Sequence, residues 1–370
     1  MNSVRYISQG RRLNNHVVGF SISFDPKDGG PRGIGAEHLR EALLQMTRPI
    51  LRAGAGVAYG GKLEPLDPPE INFTLDLLNL IREEQEETSL DDDDPPAWHA
   101  HGRKKKEPVE EPSSVEPQVN KLYNHQAWPN YLKIDRKKEA EWINCCQIVR
   151  ITQEMAQIAE PLPDEEKEGD ELRRYVHRAV CLSAMRTSMA LGCVQNIAGA
   201  PGASKTIPPV NVRIVLGGVL NEFTGIMPGI FEEILAARRV LPNCPLFILG
   251  GFGGAAGAIA QVLLNGWSPS AHLFTPAHYA TAPENPKKPG FTDLLKYWDT
   301  TKPAPATYSP ATGFADLEKL LAPFAGKPCD FLKNQLSDED NRSLLCTVDP
   351  MEAVRLVLRG LTKLSNLSTS

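Results

Sequence analysis

Four times in this chain a short apolar run stops at serine or glycine and gives way to an amphipathic stretch. The runs are HVVGFSIS (16–23), VAYGG (57–61), VRIVLGG (212–218) and PLFILGG (245–251). Runs of this length, rich in Val, Ile and Leu, suit strands buried on both faces. The segments that follow have helical spacing. AEHLREALLQMTRPILRAG (36–54) places apolar residues at 39, 43, 46 and 50 and closes on Gly54. FTLDLLNLIRE (73–83), PGIFEEILAARRV (228–240) and GGAAGAIAQVLL (253–264) behave similarly. CQIVRI (146–151) reads as a further strand, and EGDELRRYVHRAVCLSAMRTSMALG (168–192) as a long helix. Strand alternating with helix at these lengths predicts an α/β fold: a Rossmann-like, doubly wound, mostly parallel sheet with helices on both faces. Segments 291–298, 313–325 and 349–364 add helices that the pattern packs on the same core.

One stretch departs from this pattern. REEQEETSLDDDDPPAWHAHGRKKKEPVEEPSSVEP (82–117) combines four consecutive Asp, a basic RKKK cluster and five prolines with few aliphatic residues. Such a composition buries too little apolar surface to offset its ordering entropy, so a disordered insertion over 83–120 is expected. A partner-binding loop is the alternative. HAH at 99–101 has no Cys or His at ligand spacing beside it, and no metal site is expected.

The remaining composition excludes several classes. Net charge is −5 over 370 residues, without the basic surplus of a nucleic-acid binder. No run of 18 apolar residues and no N-terminal signal-peptide pattern occurs, which points to a cytoplasmic protein without a membrane span. Seven cysteines without a CxxC pair suit reduced structural thiols.

The chemistry is expected where the strands end. In an open parallel sheet, ligands bind outside the carboxyl ends of the strands. Glycine there lets a ligand approach the backbone, and the next helix offers free N–H groups to a phosphate. The candidate ligand-binding residues are Gly19, Ser21, Ser23, Gly60, Gly61, Gly217, Gly218, Gly250, Gly251, Gly253 and Gly254. Close helix–strand packing is the other use for such glycines. GGFGGAAG only partly matches a dinucleotide fingerprint, because Ala256 stands at the last glycine. No acidic residue closes a second strand some twenty residues on, so NAD-dependent hydride transfer ranks low. In MPGIFEE (227–233), Pro228 suits a helix's first turn, and Gly229, Glu232 and Glu233 follow. The two carboxylates either favour the helix dipole or face a pocket. Arg186, on the preceding helix, is a surface residue or a planar fork for phosphate or ribose hydroxyls.

MRxxM (185–189), LGG (216–218), MPGIFEE (227–233) and PLFILGGFGGAAGAI (245–259) together resemble the SLOG superfamily. That superfamily unites SMF/DprA proteins, Lonely guy phosphoribohydrolases and the TRPM sensor domain. The N-terminal GFSIS, GAEHLREAL, AGVAYGG and NFTLDLL segments are similar to a branch found in bacterial nucleotide-signalling and antiviral defence systems. The resemblance implies a Rossmannoid nucleotide-binding domain over 1–270, with a helical extension over 271–370. The Lonely guy motifs are M-x-x-R-K-x-x-M and P-G-G-x-G-T-x-x-E. Arg186, Gly229 and Glu233 match them. Thr187, Ile230 and Met227-Pro228 depart from them, and residues 219–226 expand the loop.

The resemblance implies a nucleotide-derived ligand, either an ADP-ribose-type signal or a nucleoside phosphate, sensed with no required cofactor. A separately encoded protein effector and self-association are compatible with that role. The enzymatic alternative is an N-glycosidase with Glu233 and Arg186 as its catalytic residues. A scaffold with a vestigial pocket is the third reading.

Overall fold

The computed structural model describes residues 13–64, 71–91, 121–196, 203–221, 223–280, 289–301 and 309–367. Six strands form one parallel sheet: β1 (Val17–Ser23), β2 (Gly56–Tyr59), β3 (Leu122–Ala127), β4 (Cys146–Ile151), β7 (Val212–Gly217) and β8 (Leu246–Leu249). Two further strands, β5 (Cys193–Asn196) and β6 (Ser204–Ile207), pair antiparallel in a separate hairpin. The order in the large sheet is β4-β3-β2-β1-β7-β8. The chain winds outward in one direction from β1 to β4, then returns to lay β7 on the other side of β1. The topological switch point therefore falls between β1 and β7, and parallel doubly wound sheets open their binding crevice there.

The chain order of the helices is α1 (Pro26–Gly29), α2 (Ala36–Arg52), α3 (Phe73–Asp91), α4 (Arg136–Glu141), α5 (Glu171–Leu191), α6 (Gly229–Val240) and α7 (Gly254–Asn265). It continues with α8 (Pro276–Tyr279), α9 (Phe291–Thr301), α10 (Pro310–Leu321), α11 (Pro328–Leu332), α12 (Asp338–Cys346) and α13 (Pro350–Leu367). Alternation along each strand divides the core in two. Val18, Phe20 and Ile22 of β1, with Val57, Ile214, Leu216, Phe247 and Leu249, pack against α2, α3 and α13. Ala58, Val149, Ile151, Val215 and Ile248 pack against α5, α6 and α7, with α9 and α10 behind them. The expected doubly wound α/β sheet is thus present.

β3 lies outside the strands that periodicity identifies, because LYNHQA carries three polar residues in six. All three are buried, and local bonds satisfy part of their polar groups. Asn124 Nδ2 donates to the Gly61 carbonyl at 3.0 Å, Gln126 Nε2 donates to the same carbonyl, and His125 Nδ1 lies 3.3 Å from the Tyr123 carbonyl. A second difference concerns the charged segment. Helix α3 continues to Asp91, past the point where composition turns acidic. Arg52 on α2 explains this: it forks onto buried Glu84 at 2.6 and 3.0 Å and reaches Glu87 at 2.7 Å. The rest of the insertion, 92–120, and the HAH triplet lie outside the described residues.

The C-terminal helices belong to the same core, since α12 and α13 supply Leu344, Ala353, Leu356 and Val357 to the α2 face of the sheet. Gly360 lets α13 come this close. A Cβ there would lie 2.4 Å from a Phe247 ring carbon and 2.8 Å from the Asn334 carbonyl. Gly360→Val is expected to cost about 2 kcal/mol or more through overpacking. A urea midpoint unchanged from wild type would show that α13 does not pack on β8 this way.

Candidate functional site

At the carboxyl end of β7 the backbone turns through Gly217 and Gly218, both at positive φ (64° and 101°). A side chain at either would strike the Ser23 carbonyl or the Ile230 side chain. Three side chains at and just after the end of β1 take up amides of the neighbouring loops. Ser23 Oγ accepts from Val219 N (3.2 Å), Asp25 Oδ2 from Leu220 N (3.4 Å) and Asp28 Oδ2 from Gly254 N (2.5 Å). Asp28 also lies 3.4 Å from Arg32. The first amide of α7, expected to face a phosphate, is therefore occupied by the protein's own carboxylate. Gly253 (φ 76°) lets that carboxylate approach, and Gly218 O accepts from Ala255 N at 3.0 Å.

Helix α6 starts differently. Among the described residues no side chain caps it, and Pro228 precedes its first amides. Its acidic first turn instead faces inward. Glu232 is fully buried and pairs with Arg186 Nη1. Glu233 Oε2 accepts from Arg213 Nη1 at 2.6 Å and from the Ser21 hydroxyl, while Oε1 lies 3.9 Å from Arg186 Nε. Arg213 Nη1 also donates to Ser21 Oγ at 2.9 Å. The Arg186 guanidinium lies against Gly225 and Gly229, where a Cβ would come within 2.8 Å of its nitrogens. The turn from Gly225 to Gly229 is thereby closed around Arg186. The chain just before it is held by Phe223, in edge contact with Tyr279 (5.3 Å) and Phe291 (5.0 Å) from α8 and α9.

The fold thus brings Ser21, Arg186, Gly229, Glu232 and Glu233 together at the switch point. Gly60 borders the group, with Met185 Cε 3.0 Å from where its Cβ would stand. Gly19 lies one row deeper, in register with Arg213 and Ala58. Other candidates sit elsewhere. Gly61 faces Tyr59 and Thr74 on the α3 side. Gly250 and Gly251 pack under the carbonyls of Leu345, Cys346 and Thr347, and line a separate cavity of about 280 Å³ with Arg32, Gln261 and Cys346. The close approach of α12 to the end of β8 explains that glycine pair. Among the described residues, no group of His, Cys, Asp and Glu is arranged to hold a metal ion.

Two residues of this neighbourhood escape a reading of the sequence for glycines and helix starts. Arg213 is fully buried inside an otherwise apolar strand. A cation there is the anomaly that could have revealed it. The other is His125 on β3, also buried. Desolvation, aided by the Arg213 charge, depresses its pKa to about 4, so it is neutral at pH 7.

A six-stranded parallel sheet flanked by helices, with a buried acid–guanidinium cluster at its switch point, defines a Rossmann-like α/β domain. The family model described as SLOG cluster2 matches residues 12–199 and 204–344, most of the chain. The chain belongs to this family of the SLOG superfamily, whose domains are nucleotide-related Rossmannoids. No curated protein matches it. Among the described residues, no helix is long and apolar enough to cross a membrane.

Two outcomes follow from the cluster. Arg186→Ala removes the guanidinium paired with a fully buried carboxylate and should cost about 3–5 kcal/mol. Arg186→Met combined with Glu232→Leu should recover much of that loss in urea denaturation. Stability should also depend on pH through His125. Its folded pKa lies below the unfolded value, so the stability is present above about pH 6.5 and is lost as pH falls towards 4. The full loss corresponds to about 3 kcal/mol. His177, depressed to about 4 by burial, adds in the same sense. Denaturation midpoints between pH 7 and 4 should fall less steeply in His125→Gln and His177→Gln; slopes equal to wild type would refute the assignment.

Proposed function

We propose that the chain binds a nucleotide-derived ligand, of the ADP-ribose or nucleoside phosphate class, and acts as a sensor in a nucleotide-signalling or defence system. One observation carries this reading. The switch point offers at α6 a helix start that no side chain among the described residues caps, beside a cluster with both donors and acceptors, Arg213, Ser21 and Glu233. A helix N-terminus and its dipole favour phosphate. Glu233 is partly exposed beside it. The α7 start, whose first amide already bonds Asp28, is a weaker anion site than α6.

Sensing is favoured over hydrolysis by the state of Glu233. One of its oxygens already accepts from both Ser21 and Arg213, and the other faces Arg186. A general base or nucleophile needs a lone pair directed at the reacting atom. Here the carboxylate is tied into the wall of the site. The effector would be a separate protein.

Native mass spectrometry of the freshly purified protein tests the ligand class. Chromatography of ADP-ribose, NAD and nucleoside monophosphates after overnight incubation tests the chemistry. Intact compounds are expected with wild type and with Glu233→Gln. Free base released by wild type, with turnover roughly 10²–10⁴ lower in Glu233→Gln, would establish the glycosidase instead.

A further inference from the structure

Arg213 has more hydrogen-bonding capacity than its neighbours use. Its Nη1 serves Ser21 and Glu233. Its Nε and Nη2 are buried and have no hydrogen-bond partner among the described residues. Those two nitrogens share one edge of the guanidinium plane, the side-on fork that grips an oxygen acceptor. Buried donors without partners are rare in folded proteins and call for a cause.

A second buried group in the same layer has a complementary deficit. His125 Nδ1 lies 3.3 Å from the Tyr123 carbonyl, which can only accept, so Nδ1 carries the proton. Nε2 is then a bare lone pair, and it too has no partner among the described residues. Between the two, on the face covered by α5, the sheet carries only small residues. Gly19 and Ala58 stand in register with Arg213 and Tyr123, and Gly60 follows Tyr59 at the end of β2. Nothing bulkier on the strands separates the fork from the imidazole, and the Arg213 charge is felt at His125. The cover over Gly60 is Met185, an unbranched and easily displaced side chain.

The charges decide what can enter. Arg186 faces Glu232 and Arg213 faces Glu233, so the cluster is neutral as it stands. A phosphate placed here would add buried negative charge beside two carboxylates. An uncharged group with an acceptor and a donor matches both deficits: its acceptor takes the Arg213 fork, and its donor meets His125 Nε2. We propose that Arg213 and His125 form a deep subsite for such a group, a sugar hydroxyl pair or a primary carboxamide, entered over Gly60 by displacement of Met185. This rests on the reading of the switch point as a nucleotide-derivative site, and it leaves the phosphates at α6.

Calorimetric titration with ADP-ribose, NAD and inorganic pyrophosphate tests the subsite in wild type and Arg213→Lys. Lysine keeps the charge beside Glu233 and lacks the fork. At least one of ADP-ribose and NAD should bind the variant about tenfold or more weakly, and pyrophosphate within about twofold of wild type. A loss larger for NAD than for ADP-ribose identifies the carboxamide as the group held; equal losses identify the hydroxyls. Equal weakening of pyrophosphate, or unchanged binding of both larger probes, overturns the proposal. The subsite is also read without nucleotides, by ¹⁵N resonances of the His125 ring during titration with ribose and with nicotinamide. A shift of Nε2 in wild type, absent in Arg213→Lys and in Met185→Trp, supports it. No shift with either probe refutes it, even where the nucleotides bind. Wild type that shows the His125 shift yet binds none of the nucleotide probes refutes the nucleotide reading and leaves the subsite standing.

Discussion

The contact on which the switch point depends is the ion pair between Arg213 and Glu233, closed into a triangle by the Ser21 hydroxyl. It joins β7, α6 and β1, three elements far apart in the chain. A cation on a fully buried strand has a large desolvation cost, and only a well-placed carboxylate makes it tolerable. That requirement brings the first turn of α6 down onto the sheet. Once Glu233 is held, Glu232 points inward as well and needs a partner of its own. Arg186 provides one from α5, and the loop before α6 closes around that guanidinium through Gly225 and Gly229. Charge neutrality inside the core thus sets the positions of two helices and one loop.

A second constraint acts just above the first. The turns after β7 and β8 leave backbone amides without secondary-structure partners, and buried amides must be satisfied. Ser23, Asp25 and Asp28 accept from three of them, so the segment after β1 is bonded across both turns. The consequence for function is an asymmetry between two otherwise similar helix starts. The first amide of α7 bonds Asp28, whereas among the described residues no side chain caps α6. The glycine-rich stretch that looks most like a nucleotide fingerprint is therefore the less available of the two.

The C-terminal region completes both layers. α12 and α13 cover the end and one face of the sheet, and their closeness accounts for Gly250, Gly251 and Gly360. On the other face, Tyr279 and Phe291 hold Phe223 and with it the loop around Arg186. The extension contributes to the site indirectly, by holding that loop.

The class of fold is legible in the sequence, because five of the six sheet strands and most of the long helices carry their periodicity openly. The sequence also marked Ser21, Arg186, Gly229, Glu232 and Glu233 through strand ends and a family motif, and these converge. It could not reveal β3, where Asn124, His125 and Gln126 replace the apolar alternation, and where the bonds of Asn124 and Gln126 to Gly61 exist only once the strands are side by side. It could not separate glycines that border the switch point from those that admit α12, since both follow apolar runs of the same kind. Nor could it continue α3 into its acidic end, which depends on Arg52 from another helix. Local pattern encodes which face of an element is apolar. The partners of buried charges and polar groups come from residues distant in the chain, and only tertiary structure decides them.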